Sequence, residues 1–356
     1  MRDLRAEDLD FPLPEELIAR HPAPQRSGAR LMIARGGELE HGLTTDLPRL
    51  LGPGDLLVLN ETRVLPARLI LRKDSGGQVE GLWLAAEAEG GARAMISGGR
   101  LRPGLVLRAR EDGRLLLRKK LGPGLWEIGM ASPAAVSWEE WLNLYGATPL
   151  PPYVRRLREL AGESDECAED RERYQTVWAR VPGSVAAPTA SLHLDEALLS
   201  EISARGVHVG RLTLHVGQGT FLPVSAPTLA GHRMHEESFI IPPELEEAVA
   251  ACRRRGGRVV AAGTTACRAL EAWARGERGG TRLLIAPGHE WRAVDALLTN
   301  FHTPRSTLLA LVAAFAERCG SPDGLAFVKA AYAEAVARRY RFFSFGDASF
   351  WLPSRR

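Results

Sequence analysis

The chain has 356 residues, 45% hydrophobic and 25% charged, and a formal net charge of +3. These values fit a globular protein of two or three domains with a sizeable core. The charge is too mild to diagnose nucleic-acid binding by itself, and no apolar run approaches the roughly 18 residues of a membrane span, which excludes a membrane-spanning helix.

Residues 1–10 are charged and carry no secretory core, so a soluble cytoplasmic protein is expected. The four cysteines (Cys167, Cys252, Cys267 and Cys319) include no CxxC pair, which argues against a zinc site or a disulfide framework. Only four of the 46 basic residues are lysine. Arginine suits phosphate contacts, but coding bias or heat adaptation explains the same count, and only three asparagines occur.

In chain order, residues 14–20 read as a short helix with proline in its first turn. Residues 55–59 read as a strand after Gly52-Pro53-Gly54. From residue 67 to 126 short strand-like runs (68–72, 79–84, 92–96, 105–110, 114–118, 125–128) are broken by glycines, the texture of a small antiparallel barrel or sandwich. Ser137 and Glu140 form a capping-box pattern for a helix to residue 145. Residues 155–173 are charge-dense and read as a mobile or surface loop. Strands and helices then alternate: helices at 194–204, 244–255, 265–275, 306–319 and 323–340, strands at 207–216 and 258–262. The expected fold is an α/β catalytic domain (1–66 and 137–356) with an inserted antiparallel β-barrel (67–136).

Chemistry-bearing residues gather in a few motifs. Asn60, Thr62 and Arg63 follow a strand, where polar groups commonly line a site, although an ordinary capped turn fits as well. The small-residue run 182–193 contains Pro188, Thr189 and His193. Such a run lets a ligand approach the backbone, and Thr189 or Ser191 could instead cap the next helix. His215 leads into Gly217, Gly219 and Thr220. His232, His235, Glu236 and Glu237 crowd two imidazoles and two carboxylates into six residues, without HExxH spacing for metal. Gly263-Thr264-Thr265 opens a helix carrying Arg268, a place for a carboxylate at a helix N-terminus. Asn300, Phe301 and His302 precede a helix capped by Ser306, with Phe301 as a possible base-stacking ring or a core aromatic. Arg341 and Asp347 lie among aromatics near the C-terminus.

The order of these motifs (ETRVLPARL, LPPYV, RYQTVWA, PGSVAAPTASLH, TLHVGQGTF, HRMHEE, GTTACRALE, TNFHTPRSTLL, YRFFSFGDA) resembles the S-adenosylmethionine:tRNA ribosyltransferase-isomerases of queuosine synthesis. The resemblance runs to about residue 350. It implies transfer and isomerisation of the ribosyl part of S-adenosylmethionine onto 7-aminomethyl-7-deazaguanine at the wobble position of a GUN-anticodon tRNA. Epoxyqueuosine forms, and adenine and methionine leave. S-adenosylmethionine is then a co-substrate, with no bound cofactor or metal, and a monomer is expected. The proton transfers point to His235 and Glu237, with His215, His193, His302 and Asp347 as further candidates. The family usually has Asn at Glu61, Gly at Ser191, Ser at Glu236, an aromatic at Ser238, and Ser-Val at Ala266-Cys267. The alternatives are an S-adenosylmethionine-dependent RNA methyltransferase and a non-catalytic tRNA-binding paralogue.

Overall fold

The computed structural model describes residues 4–131, 137–217 and 226–354. In chain order its elements are β1 (Arg30–Arg35), β2 (Glu38–Leu43), α1 (Leu47–Leu50), β3 (Leu56–Asn60), β4 (Thr62–Val64), β5 (Arg68–Arg72), β6 (Gln78–Ala86), β7 (Gly91–Ser97), β8 (Val106–Arg108), β9 (Arg114–Lys120) and β10 (Leu125–Met130). There follow α2 (Trp138–Tyr145), α3 (Pro152–Leu160), α4 (Asp170–Arg173), β11 (Val181–Ser184), α5 (Glu196–Ala204), β12 (His208–Leu214), β13 (Glu237–Ile240), α6 (Pro243–Arg254), β14 (Val259–Ala262), α7 (Thr264–Ala274), β15 (Gly279–Thr281), β16 (Ala296–Asn300), α8 (Thr307–Arg318), α9 (Gly324–Ala337) and β17 (Ala348–Leu352).

The chain divides into two compact units. The first comprises Met1–Thr62, Gln175–Arg180 and Pro188–Arg356, and the second Arg63–Tyr174 and Val181–Ala187. In the first unit, among the described residues, nine strands form one sheet in the order β15-β13-β12-β3-β14-β16-β17-β1-β2. The four central strands β12, β3, β14 and β16 are mutually parallel. Strands β3, β14 and β16 are buried along their whole length. Strands covered on both faces read as continuous apolar runs, and these do. Leu57, Leu59, Val260, Ala262 and Leu298 pack with Leu47, Leu194, Leu198 and Ile202 in one core cluster, on the side of α1 and α5. Helices α6 and α7 pack on β12, β3 and β14. Gly210 permits a close approach there, since a Cβ on it would meet Leu245 Cδ1 of α6 at 2.5 Å.

In the second unit six strands close into a barrel, β10-β7-β6-β5-β8-β9, and β11 pairs with β4 outside it. Period-two alternation builds it: Ala92, Ala94 and Ile96 of β7 and Leu115 and Leu117 of β9 point inward to one core. Register shifts at Trp83/Ala85 and at Glu127/Ile128 mark where the barrel curves. Trp138, Trp141 and Leu142 of α2 join that core. Compactness therefore groups residues 137–174 with the barrel, whereas sequence texture placed them with the α/β part.

Two local expectations change. Residues 14–20 do not form an α-helix: Glu15–Leu17 is a single 3-10 turn, because Phe342 N donates to Leu17 O (2.8 Å) and Ala19 N to Phe342 O (3.2 Å). Residues 155–173 are not one surface loop: α3 extends through them to Leu160. Arg158, fully buried, donates to both Asp170 oxygens at 2.6 and 2.9 Å. A buried arginine–carboxylate pair hides polar residues that sequence periodicity assigns to solvent. The expected caps at Ser137 and Ser306 are present, while α5 is capped by Asp195 in place of Thr189 or Ser191.

Candidate active site

The chain leaves β3 for β12 on one side and later places β14 on the other. β3 is thus the switch point of the parallel sheet, where ligands bind at the carboxyl ends of strands. Asn60 ends β3 there. Its Nδ2 donates to Leu214 O (2.9 Å) and Thr265 Oγ1 (3.2 Å), and its Oδ1 accepts from the N–H groups of Leu214 and Thr62 (both 3.1 Å). All four hydrogen-bonding positions of the amide are used. Asn60 therefore ties β3, β12 and α7 together and has nothing left for a ligand, which corrects its expected binding role.

Beside it, Thr62 Oγ1 and His215 Nδ1 lie 2.8 Å apart. Burial lowers the His215 pKa, so the ring is neutral at pH 7. Glu237, buried at the start of β13, accepts from Arg268 Nη1 and from Gly217 N (3.4 Å). Arg268 is 5% exposed, its Nε donates to Leu283 O (3.1 Å), and its Nη2 is buried without a hydrogen-bond partner. Gly263 has φ +98°, a left-handed conformation that glycine adopts without strain, and so turns β14 directly into α7 with Thr264 and Thr265 in its first turn.

The end of β16 carries a second group. Asn300 Oδ1 accepts from Thr189 Oγ1 (2.8 Å), and its Nδ2 lies 3.2 Å from Phe343 O and 3.3 Å from His193 Nε2. An amide N–H only donates, so Nε2 accepts and the neutral ring carries its proton on Nδ1. Burial pushes His193 down to about 4 and His302 to about 3. His302 Nε2 lies 2.8 Å from Thr299 Oγ1. Both rings stay neutral in the folded protein while the unfolded chain protonates near 6.5. Stability is therefore intact above pH 6.5 and falls as pH drops from 6.5 toward 4, by up to about 1.4 kcal/mol per pH unit for each ring. Urea unfolding of His193→Gln between pH 7.5 and 4.5 should show a slope shallower by about one proton. An unchanged slope would remove His193 from this account.

Several expected site residues sit elsewhere. Phe301 is fully buried and packs edge-on against Tyr332 and Tyr340, so its ring belongs to the core and cannot stack on a base. Asp347 accepts from Arg30 N (3.0 Å), Arg30 Nε (3.2 Å) and Arg341 N (2.8 Å), which fits a loop-holding carboxylate better than a proton carrier. Arg341 donates to Phe345 O. His235 is exposed in the loop before β13. Arg63 belongs to the second unit and pairs with Glu139. Pro188 is buried, and Gly219 and Thr220 lie outside the described residues. Sequence reading missed Trp178, whose Nε1 donates to Asn60 O (3.1 Å), and Glu271. Glu271 is fully buried on α7 and accepts from the N–H groups of Arg292, Ala293 and Val294 and from Arg275. Burial raises its pKa, but these donors and His289 outweigh that and hold it at about 2. Its stabilisation is present above pH 4.5 and lost as pH falls toward 2. Glu271→Ala should cost about 3–5 kcal/mol in chemical denaturation, because buried donors lose their acceptor. A loss under 1 kcal/mol would refute that anchoring role.

Among the described residues, no group of three or more His, Cys, Asp or Glu side chains is placed to hold a metal ion, and no helix is long and apolar enough to cross a membrane. A sheet whose parallel centre carries a neutral imidazole, an arginine–carboxylate pair and a glycine turn at its switch point, with two more neutral imidazoles at the end of β16, defines an α/β enzyme with a polar substrate site. The family described as "Queuosine biosynthesis protein" matches residues 6–351. An S-adenosylmethionine:tRNA ribosyltransferase-isomerase from Anaeromyxobacter sp. (strain Fw109-5) is 49% identical over 97% of this chain and 98% of its own length. One from Acidithiobacillus ferrooxidans is 47% identical over 98% and 99%. The crystal structure of the S-adenosylmethionine tRNA ribosyltransferase from Thermotoga maritima is 32% identical, with TM-score 0.53, covering 96% of this chain and 99% of that one. The chain belongs to the S-adenosylmethionine:tRNA ribosyltransferase-isomerase family of queuosine biosynthesis.

Proposed function

We propose that this protein transfers and isomerises the ribosyl group of S-adenosylmethionine onto 7-aminomethyl-7-deazaguanine at the wobble position of a GUN-anticodon tRNA. The product is epoxyqueuosine-tRNA, with adenine and methionine released. The observation that carries the reading is the whole-length family match, together with the polar cluster at the β3 switch point. Arg268, whose Nη2 is a buried donor without a partner, takes the methionine carboxylate. Glu237 and the Leu283 carbonyl hold that arginine in place, Gly217 N donates to Glu237 behind it, and Thr264 and Thr265 at the start of α7 face the same ligand. His215 removes the proton beside the sulfonium, with its ring fixed by Thr62. His193, positioned by Asn300, offers Nδ1–H to the departing adenine. His235 and Arg341 are assigned to tRNA contact, a role in which exposure helps His235. A soluble cytoplasmic monomer completes the proposal.

The test is incubation with S-adenosylmethionine and tRNA carrying the aminomethyl base. Adenine release and the mass gain of the modified nucleoside are expected. S-adenosylhomocysteine in their place would turn the reading to methyl transfer, and tRNA binding with no release would turn it to a non-catalytic protein.

A further inference from the structure

We propose that Glu61, which the reading above leaves unused, binds a primary ammonium group of the substrates through its Oε2 atom; this rests on the ribosyltransferase reading. Glu61 stands directly after β3, at the switch point, between Asn60 and Thr62. It is 6% exposed. Its N–H donates to Leu212 O, and its carbonyl accepts from Arg180 N, both at 2.9 Å. Of its carboxylate oxygens, Oε1 accepts from Arg180 Nη2 at 3.0 Å, while Oε2 is buried and receives no hydrogen bond.

A buried carboxylate oxygen without a donor is costly, and native folds rarely leave one so. Arg180 compensates weakly, because its side chain is 75% exposed and its charge is screened by water. The vacant acceptor lies at the strand end where a ligand is expected. The best partner of a carboxylate oxygen is a cation with N–H donors. In the proposed reaction two groups answer that description: the aminomethyl ammonium of the deazaguanine and the α-ammonium of S-adenosylmethionine.

Two probe pairs separate them. One is tRNA carrying the aminomethyl base against tRNA carrying its neutral 7-cyano counterpart, read by fluorescence anisotropy. The other is S-adenosylmethionine against its deamino analogue, read by calorimetry. One pair should show a preference for the amine of about tenfold or more in the wild-type protein, as a charged hydrogen bond gives. Glu61→Gln should erase that preference, and Arg180→Ala should keep it. The pair that responds identifies the ammonium. The proposal is overturned if neither pair shows a preference in the wild type, if the preference survives in Glu61→Gln, or if Arg180→Ala removes it as fully. The wild-type comparisons stand even if Glu61→Gln fails to fold. Adenine release by the wild type, followed in parallel, tells failure of this contact from failure of the reaction itself.

Discussion

Replacing His215 with asparagine is expected to lower adenine release by about 10²–10⁴-fold, the range a positioned general base contributes, with S-adenosylmethionine affinity changed only a few-fold. His215 follows β12 at the switch point, and its Nδ1 is 2.8 Å from Thr62 Oγ1, which fixes the ring and leaves Nε2 for the substrate. Burial then keeps the imidazole unprotonated at pH 7, the form a base needs. His235→Asn provides the contrast: an exposed imidazole in the tRNA-contact role should change tRNA affinity more than the chemical step. If His235→Asn abolished release and His215→Asn left it near normal, the assignment of the base to His215 would be lost.

Arg268→Met should weaken S-adenosylmethionine binding by about 10²-fold or more and destabilise the fold by about 3–5 kcal/mol. Two effects are mixed in that variant. Removing the guanidinium takes away the Nη2 donor, and it also takes a cationic partner from Glu237, which is 5% exposed and accepts from Arg268. The double variant Arg268→Met/Glu237→Gln separates them. It replaces the buried carboxylate that faced the guanidinium with a neutral amide, so stability should recover in part, while binding stays weak. Calorimetry and a denaturant titration on the three proteins check this. Recovery of binding along with stability would show that Arg268 serves only the fold.

Much of the architecture was legible from local pattern. The barrel strands announced themselves because one face of each is buried and the other wet, as in Gly91–Ser97, where every second residue is inside. Ser137 and Ser306 were readable as caps because capping acts over three residues. The order of the motifs sufficed to point to the family. Other features were invisible for the same physical reason in reverse. Arg158 looked solvated until Asp170 closed on it. Phe301 looked available until Tyr332, Tyr340 and Phe342 enclosed it.

By itself, then, the amino-acid order determined the alternation of strands and helices, the inserted barrel and the set of polar residues able to do chemistry, since periodicity and caps act over a few residues. Only the tertiary structure decided which of those residues work together. Thr62 meets His215 across 153 positions and Asn300 meets His193 across 107. The pairing of parallel strands brings such partners to one edge, and burial there decides which imidazoles stay neutral and which charged atoms are left without a partner.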